Sequence, residues 1–143
     1  RGIKDQRLFP PYIMRYQGST MARQILDATK IHSKALNIIE TNYADIVAEV
    51  QEAINESALV IVGMAQNPAP KRARKALDEI GIDHTYLEYG NYFKEWRRRN
   101  ALKMWTGWPT FPMVFVNGTL IGGSSDMRAL IESGELQNLL KQN

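Results

Sequence analysis

The chain has 143 residues, of which 44% are hydrophobic and 23% are charged, proportions that are ordinary for a globular domain. Its formal net charge of +3 at pH 7 suits an anionic small ligand or an acidic partner surface, and is too small to indicate nucleic acid by itself. The sequence contains no cysteine, which excludes disulfides, thiolate catalysis, iron–sulfur ligation by its own thiols and cysteine-type zinc sites.

The histidines and the apolar runs narrow the function classes further. His32 and His84 lie far apart in the sequence and neither has a partner at ligand spacing, so no metal site is predicted. No apolar run approaches the roughly 18 residues of a membrane span. We expect a cytoplasmic protein or, after loss of a targeting segment, one in an organelle matrix. Because the chain begins at Arg1 rather than Met, we also expect a processed or truncated product.

The N-terminal part of the chain has two kinds of pattern. Residues 1 to about 19 contain Pro10-Pro11 among apolar side chains, which predicts an extended arm lying on a partner or on the domain surface, with a disordered terminus as the alternative. From Thr20 to about Glu40, apolar positions recur at spacings of three and four, which predicts a long amphipathic helix. His32 falls inside this apolar stripe, where a structural role is expected.

Helices and strands alternate through the middle of the chain. The predicted elements are a helix after Asn42 that ends near Asn55, a buried strand over 57–64, a basic helix over 71–80, a strand over 83–89 and a helix over 91–105. Strand, helix and strand at this length predict a right-handed βαβ unit. The arginines at 97–99 are expected to form a solvated face, with one or two of them recruited to a ligand.

The segment from Trp108 to Asp126 carries the most informative pattern in the chain. Two prolines, at positions 109 and 112, enclose a Thr-Phe pair and precede an apolar run of strand composition. Asn117-Gly118 predicts a hairpin turn, because both residues tolerate positive φ. Gly122-Gly123 then leads into the cap and first turn of a helix at Ser124. We expect whatever the protein recognises to bind here.

The order of these elements resembles the thioredoxin fold, and the segments resemble its glutaredoxin branch. The motif Trp108-Pro-Thr-Phe-Pro112, then Val116-Asn-Gly118, then Ile121-Gly-Gly123 and Asp126, is similar to the glutaredoxin signature. The resemblance covers roughly 43–143 and implies an α/β fold with three layers, α/β/α, around a four-stranded mixed sheet. Residues 1–42 would be an N-terminal arm and amphipathic helix, a helical extension that contacts a protein partner or a second copy of the chain.

The resemblance also implies which residues bind a ligand. Pro112 matches a cis proline, so the N–H and C=O of Phe111 would face an extended, peptide-like ligand, in the family the cysteinyl part of glutathione. Gly123 and Ser124 match the helix N-terminus that receives the γ-glutamyl carboxylate. Arg99 and Lys103 match basic positions that meet the glycine carboxylate. The full implied set of ligand-binding residues is Arg99, Lys103, Thr110, Phe111, Pro112, Gly123, Ser124, Ser125 and Asp126.

The chain departs from the family at the catalytic positions. Asn67 and Pro70 stand where the family has its attacking and resolving cysteines, and an amide supplies no thiolate for exchange. Met64 replaces a lysine that many members carry. Ser125 replaces a common aspartate, with Asp126 one residue later. The sequence therefore predicts no catalytic residue.

Four functions follow from these observations. The first is a redox-inactive binding module that uses the cis-proline and Gly-Gly site for glutathione or for a peptide or protein partner, with no cofactor required. The second is a structural or interaction subunit of a homo-oligomer or larger complex. The third is a glutathione-dependent disulfide oxidoreductase, by family membership only. The fourth, nucleic-acid binding through the arginines at 97–99, is the least supported.

Overall fold

The computed structural model describes residues 22–142, and the chain divides into two compact units between Ile39 and Glu40. The arm predicted over residues 1–19, and the first residues of the helix predicted from Thr20, lie outside the described residues. The roles predicted for residues 1–42 and 43–143 stay predictions.

The helix of the N-terminal part is shorter than predicted. Residues 28–30 form a single 3-10 turn, and helix α1 spans only Ser33–Thr41. Asp27 accepts a hydrogen bond from the Thr29 N–H at 2.8 Å, and His32 Nδ1 accepts one from the Lys34 N–H at 3.0 Å. Such local bonds from side chain to backbone compete with helical hydrogen bonds, which explains the late helix start. His32 therefore caps α1 instead of lying in an apolar stripe.

The remaining elements alternate as the sequence predicted. They are α2 Ala44–Glu56, β1 Leu59–Gly63, α3 Pro68–Glu79, β2 Thr85–Glu88, α4 Trp96–Thr106, β3 Met113–Val116, β4 Thr119–Gly122, α5 Ser124–Ser133 and α6 Glu135–Lys141. The strand order is β2-β1-β3-β4; β1 and β2 are parallel, whereas β3 is antiparallel to both β1 and β4. The predicted four-stranded mixed sheet is confirmed. No helix among residues 22–142 is both long and apolar enough to span a membrane.

Strand β1 is buried on both faces and separates two hydrophobic layers. Val60 and Val62 pack with residues of α2 and α4, including Ile46 and Leu102. Leu59 and Ile61 point to the other face, where they pack with Leu77 of α3, Met127 of α5 and Leu136 of α6. Because neither face meets water, the strand needs apolar residues at consecutive positions, which is the run seen in the sequence. The fold therefore has the α/β/α layers that the resemblance implied.

The strand register brings three segments to one edge of the sheet. Val62, near the carboxyl end of β1, pairs with Met113 at the start of β3, and Gly122 at the end of β4 pairs with Val114. The loop after β1, the proline segment before β3 and the start of α5 therefore meet at this edge. Asn117 and Gly118 turn the hairpin with φ values of 49° and 81°, as their sequence predicted.

Helix α4 begins later than the predicted Asn91. The Asn91 side chain accepts hydrogen bonds from the N–H groups of Phe93, at 2.8 Å, and of Lys94, at 2.9 Å. These bonds close a local turn that competes with helix formation, so that α4 starts only at Trp96.

Close packing at Gly63 fixes where α3 leaves β1, and this contact predicts a stability difference. A Cβ at position 63 would lie 2.8 Å from the Pro70 Cβ and 2.9 Å from the Tyr86 hydroxyl. We expect Gly63→Ala to lower the free energy of unfolding by about 1–3 kcal/mol, as overpacking does. A Cβ at Gly123, with 3.5 Å to its nearest neighbour, meets only ordinary contacts, so Gly123→Ala is the matched control. Urea unfolding of both variants measures the difference, and equal losses would contradict the packing argument.

Candidate functional site

The side chain of Asn67 joins two of the three segments at the sheet edge. Its Oδ1 accepts a hydrogen bond from the Ala69 N–H at 3.0 Å, which makes Asn67 the N-cap of α3. Its Nδ2 donates to the carbonyl oxygen of Phe111 at 3.1 Å, across 44 residues of sequence. The residue at the attacking-cysteine position thus holds the start of α3 against the proline segment.

The N-terminus of α3 offers few hydrogen-bond donors. An N-cap side chain accepts from the second or third helical N–H. Here the second is that of Ala69, which Asn67 itself uses, and the third position is Pro70, which has no N–H. Pro68 at the first position lacks one as well. The helix start that stabilises a thiolate in a thiol enzyme is therefore nearly empty of free N–H groups.

The Phe111–Pro112 peptide bond is cis, as the resemblance implied. The Phe111 side chain is buried, and no described residue accepts a hydrogen bond from its N–H. Its carbonyl accepts the bond from Asn67, and the expectation that the carbonyl and the N–H face a ligand stays a prediction. Lys103 on α4 is half-buried, and its Nζ lies 5.7 Å from the centroid of the Phe111 ring, within the range of a cation–π contact.

The N-terminus of α5 forms the other side of the site. Gly123 is the N-cap, and its N–H donates to Asp126 Oδ2 at 2.8 Å, so the Asp126 carboxylate serves the helix start. Gly122 has φ of 118°, and a Cβ there would collide with that carboxylate, which explains the glycine. Ser124 is 7% exposed and its Oγ has no hydrogen-bond partner among the described residues, whereas Ser125 is exposed.

Arg99 has a structural environment. Only 6% of the residue is exposed, and its Nη1 donates to the carbonyl oxygens of Tyr89, at 2.9 Å, and Lys94, at 2.7 Å. Burial lowers the pKa of the guanidinium below its ordinary value. These bonds hold the loop before α4. The ligand-binding role predicted for Arg99 stays a prediction, as does that of Thr110, which is exposed beside Phe111.

Sequence reasoning missed two features of the site. The first is the bond between Asn67 and Phe111, because nothing local to either residue encodes a contact across the sheet edge. The second is Trp108, whose indole Nε1 is buried without a partner among the described residues and lies 3.7 Å from where a Cβ on Gly123 would be. The Gly-Gly pair and the proline segment therefore touch. A short distance in sequence between Trp108 and Pro112 was the only available hint.

Titratable groups add little to this site. Within the part of the chain that the structure describes, no group of three His, Asp or Glu side chains could hold a metal ion. The Arg98 guanidinium, which could have faced a ligand, donates instead to carboxylates of Asp45, Glu49 and Glu95 at 2.6 to 3.2 Å.

The comparisons with known proteins agree on one family. A glutaredoxin family model matches residues 59–121, from β1 to β4. A glutaredoxin-like protein of Dictyostelium discoideum is 45% identical over 120 residues, which cover 84% of this chain and 96% of the relative. A probable monothiol glutaredoxin 2 of Rickettsia conorii is 31% identical over 103 residues, covering 70% of this chain and 92% of the relative.

Solved structures agree with these relatives. Oxidized glutaredoxin 2 of Chlamydomonas reinhardtii has a TM-score of 0.61 and 29% identity, and the match covers 70% of this chain and 94% of that one. A buckwheat glutaredoxin–glutathione complex has a TM-score of 0.60 over 70% of this chain and 91% of that one, and at 24% identity it shows the fold alone. The fold, the cis proline segment and a relative matched along nearly its whole length agree, and this cysteine-free chain belongs to the glutaredoxin family.

Proposed function

We propose that this chain is a redox-inactive binding module that uses the site between the cis-proline segment and the start of α5 for glutathione or for a peptide segment of a protein partner. One observation carries the proposal: the cis Phe111–Pro112 segment, which the family resemblance associates with ligand recognition, is bonded to Asn67, a residue that cannot exchange disulfides. The compartment in which it acts, cytoplasm or organelle matrix, stays a prediction.

The groups around the site support binding of a carboxylate-bearing ligand. The Phe111 N–H has no acceptor within residues 22–142, and the Lys103 ammonium lies next to the same residue. At the other side lies the start of α5, with Gly123 as its N-cap, and unpaired N–H groups at a helix start favour an anion. The buckwheat glutaredoxin that shares this fold was solved in complex with glutathione, which makes glutathione the first probe to try.

Glutathione binding should depend on Lys103. We expect calorimetry to give a dissociation constant in the millimolar range for reduced glutathione, and Lys103→Met to weaken binding by about three- to tenfold, because a partly exposed charge pair contributes about 1 kcal/mol. Lys75→Met, which removes an exposed charge two turns along α3, is the control and should leave binding unchanged. Absence of heat at millimolar glutathione, with the fold verified by circular dichroism, would remove the small-molecule form of the proposal.

A cysteine restored at position 67 should show that the start of α3 stabilises a thiolate only weakly. The natural chain should show no turnover above a heat-treated control in a glutathione-linked disulfide reduction assay. In Asn67→Cys the new sulfur can accept only the Ala69 N–H, whereas Asn67→Cys with Pro70→Ala adds a second donor at the third helical position. We expect the thiol pKa of the double variant to be lower by about one unit. Thiolate absorbance against pH measures this, with Pro70→Ala alone as the thiol-free control.

Equal thiol pKa values in the single and double variants would contradict the donor argument. Substantial disulfide reductase activity of Asn67→Cys alone would show that the missing nucleophile was the only defect, and that the proline at position 70 does not matter.

A second function, a structural or interaction subunit, is favoured by the loop before α4. Tyr92, Phe93 and Trp96 are exposed, and Phe93 keeps 86% of its surface in water. Tyr92 and Phe93 lie in this loop, which is held by Asn91 and by the buried Arg99, and Trp96 is the first residue of α4. Exposed aromatic side chains on a well-held backbone are typical of protein–protein contacts.

The homo-oligomeric form of this second function has a direct test. If the aromatic loop joins two copies, light scattering should show a dimer whose population rises with concentration. Phe93→Ser should raise the dissociation constant of that dimer about tenfold, a usual effect of removing an aromatic side chain from an interface. Ile80→Ser, which removes another exposed apolar side chain at the far end of α3, is the control. A monomer at all concentrations would exclude the homo-oligomer.

A further inference from the structure

The cis-proline edge of this chain carries several hydrogen-bond donors that have no acceptor among the described residues. The Phe111 N–H has no acceptor among the described residues. The amide of Asn67 has two N–H bonds, of which one is used on the Phe111 carbonyl, and the half-buried side chain leaves the second without a partner among them. Lys103 adds a cation that can only donate. The two acceptors of this set each already accept one bond: the Asn67 Oδ1 from the Ala69 N–H, and the Phe111 carbonyl from Asn67 Nδ2.

This arrangement changes how an extended ligand can pair. An added strand normally donates to one backbone carbonyl and accepts from one backbone N–H of the same residue. A carbonyl oxygen can accept two hydrogen bonds, but a second N–H would have to approach beside the amide of Asn67, which is itself a donor. Like ends of two dipoles would then face each other across a partly buried oxygen. An incoming N–H therefore gains little at Phe111.

We propose that Asn67 is the specificity-determining residue of this site: by holding the Phe111 carbonyl, it makes the site select peptide ligands through their carboxylate and carbonyl oxygens, without a bond from the ligand's N–H and without use of a thiol. This inference rests on the proposed binding function. Asn67 acts on the ligand through Phe111, and a second contact through its unused N–H is directed at a ligand oxygen as well. The ligand class is a carboxylate-bearing peptide, either free or as part of a protein segment.

The test uses a thiol-free tripeptide, γ-glutamyl-alanyl-glycine, and its analogue methylated at the alanine nitrogen. In the natural chain both should bind within about twofold of each other, because the lost N–H had no acceptor. Asn67→Ser keeps an N-cap but is one atom too short to hold the carbonyl. We expect this variant to bind the unmethylated tripeptide about three- to tenfold more tightly, and to lose that gain on methylation.

A control variant and a second peptide complete the experiment. Asn138→Ser, on the exposed surface of α6, makes the same substitution away from the site and should bind both tripeptides like the natural chain. A tripeptide with both carboxylates amidated should lose at least tenfold in affinity. The same affinities are measured for an acidic octapeptide that has the same central amide, with and without methylation. This comparison distinguishes a protein segment from a free tripeptide as the source of the ligand.

Two results would overturn the inference while leaving the proposed function intact. One is a tenfold loss on methylation in the natural chain, which would mean that the Phe111 carbonyl is available. The other is unchanged or weaker binding by Asn67→Ser with the fold verified, which would mean that Asn67 does not restrict the site. If neither chain binds any of the peptides, the proposed function falls, and this inference with it.

Discussion

The hydrogen bonds of one carboxamide, that of Asn67, determine what the rest of this site can do. Helix α3 and the cis-proline segment are far apart in sequence, and Asn67 bonds to a backbone group of each. Without these bonds, both backbone groups would need water as a hydrogen-bond partner at the sheet edge. Hydrogen bonds of this kind contribute about 0.5–1.5 kcal/mol each to stability. A thiol at the same position would be a weak donor and acceptor, and would leave the Phe111 carbonyl open.

A single side chain cannot at once connect these segments and react. A nucleophile must be an accessible anion, which needs free donors around it. The connector seen here consumes the Ala69 N–H, and the prolines at positions 68 and 70 remove two more donors. Besides the absence of cysteine, the departures at positions 67 and 70 therefore both leave the start of α3 short of donors for a thiolate. The Phe111 N–H and the N–H groups at the start of α5 are not among the groups that Asn67 bonds to.

Much of the fold follows from local sequence, whereas the site does not. The hairpin was predictable because Asn117 and Gly118 satisfy a local requirement for positive φ, and β1 because burial on two faces needs a continuous apolar run. Two helix starts were misplaced because Asp27 and Asn91 bond to nearby backbone, and an apolar periodicity does not register such competition. The Asn67–Phe111 bond was not predictable, since it depends on the register that brings β1 beside β3.

The three consecutive arginines show why charge in a sequence does not predict a charged surface. Successive helical side chains are rotated by about 100°, so neighbours in a run face different surroundings. Arg97 stacks on the Trp96 ring at 4.7 Å, Arg98 meets three carboxylates, and Arg99 is buried on backbone carbonyls. The three arginines therefore do not share one face of the helix. Residues four apart do share a face, and Lys103 lies one turn beyond Arg99. The helix face that buries Arg99 therefore also places Lys103 beside the Phe111 ring.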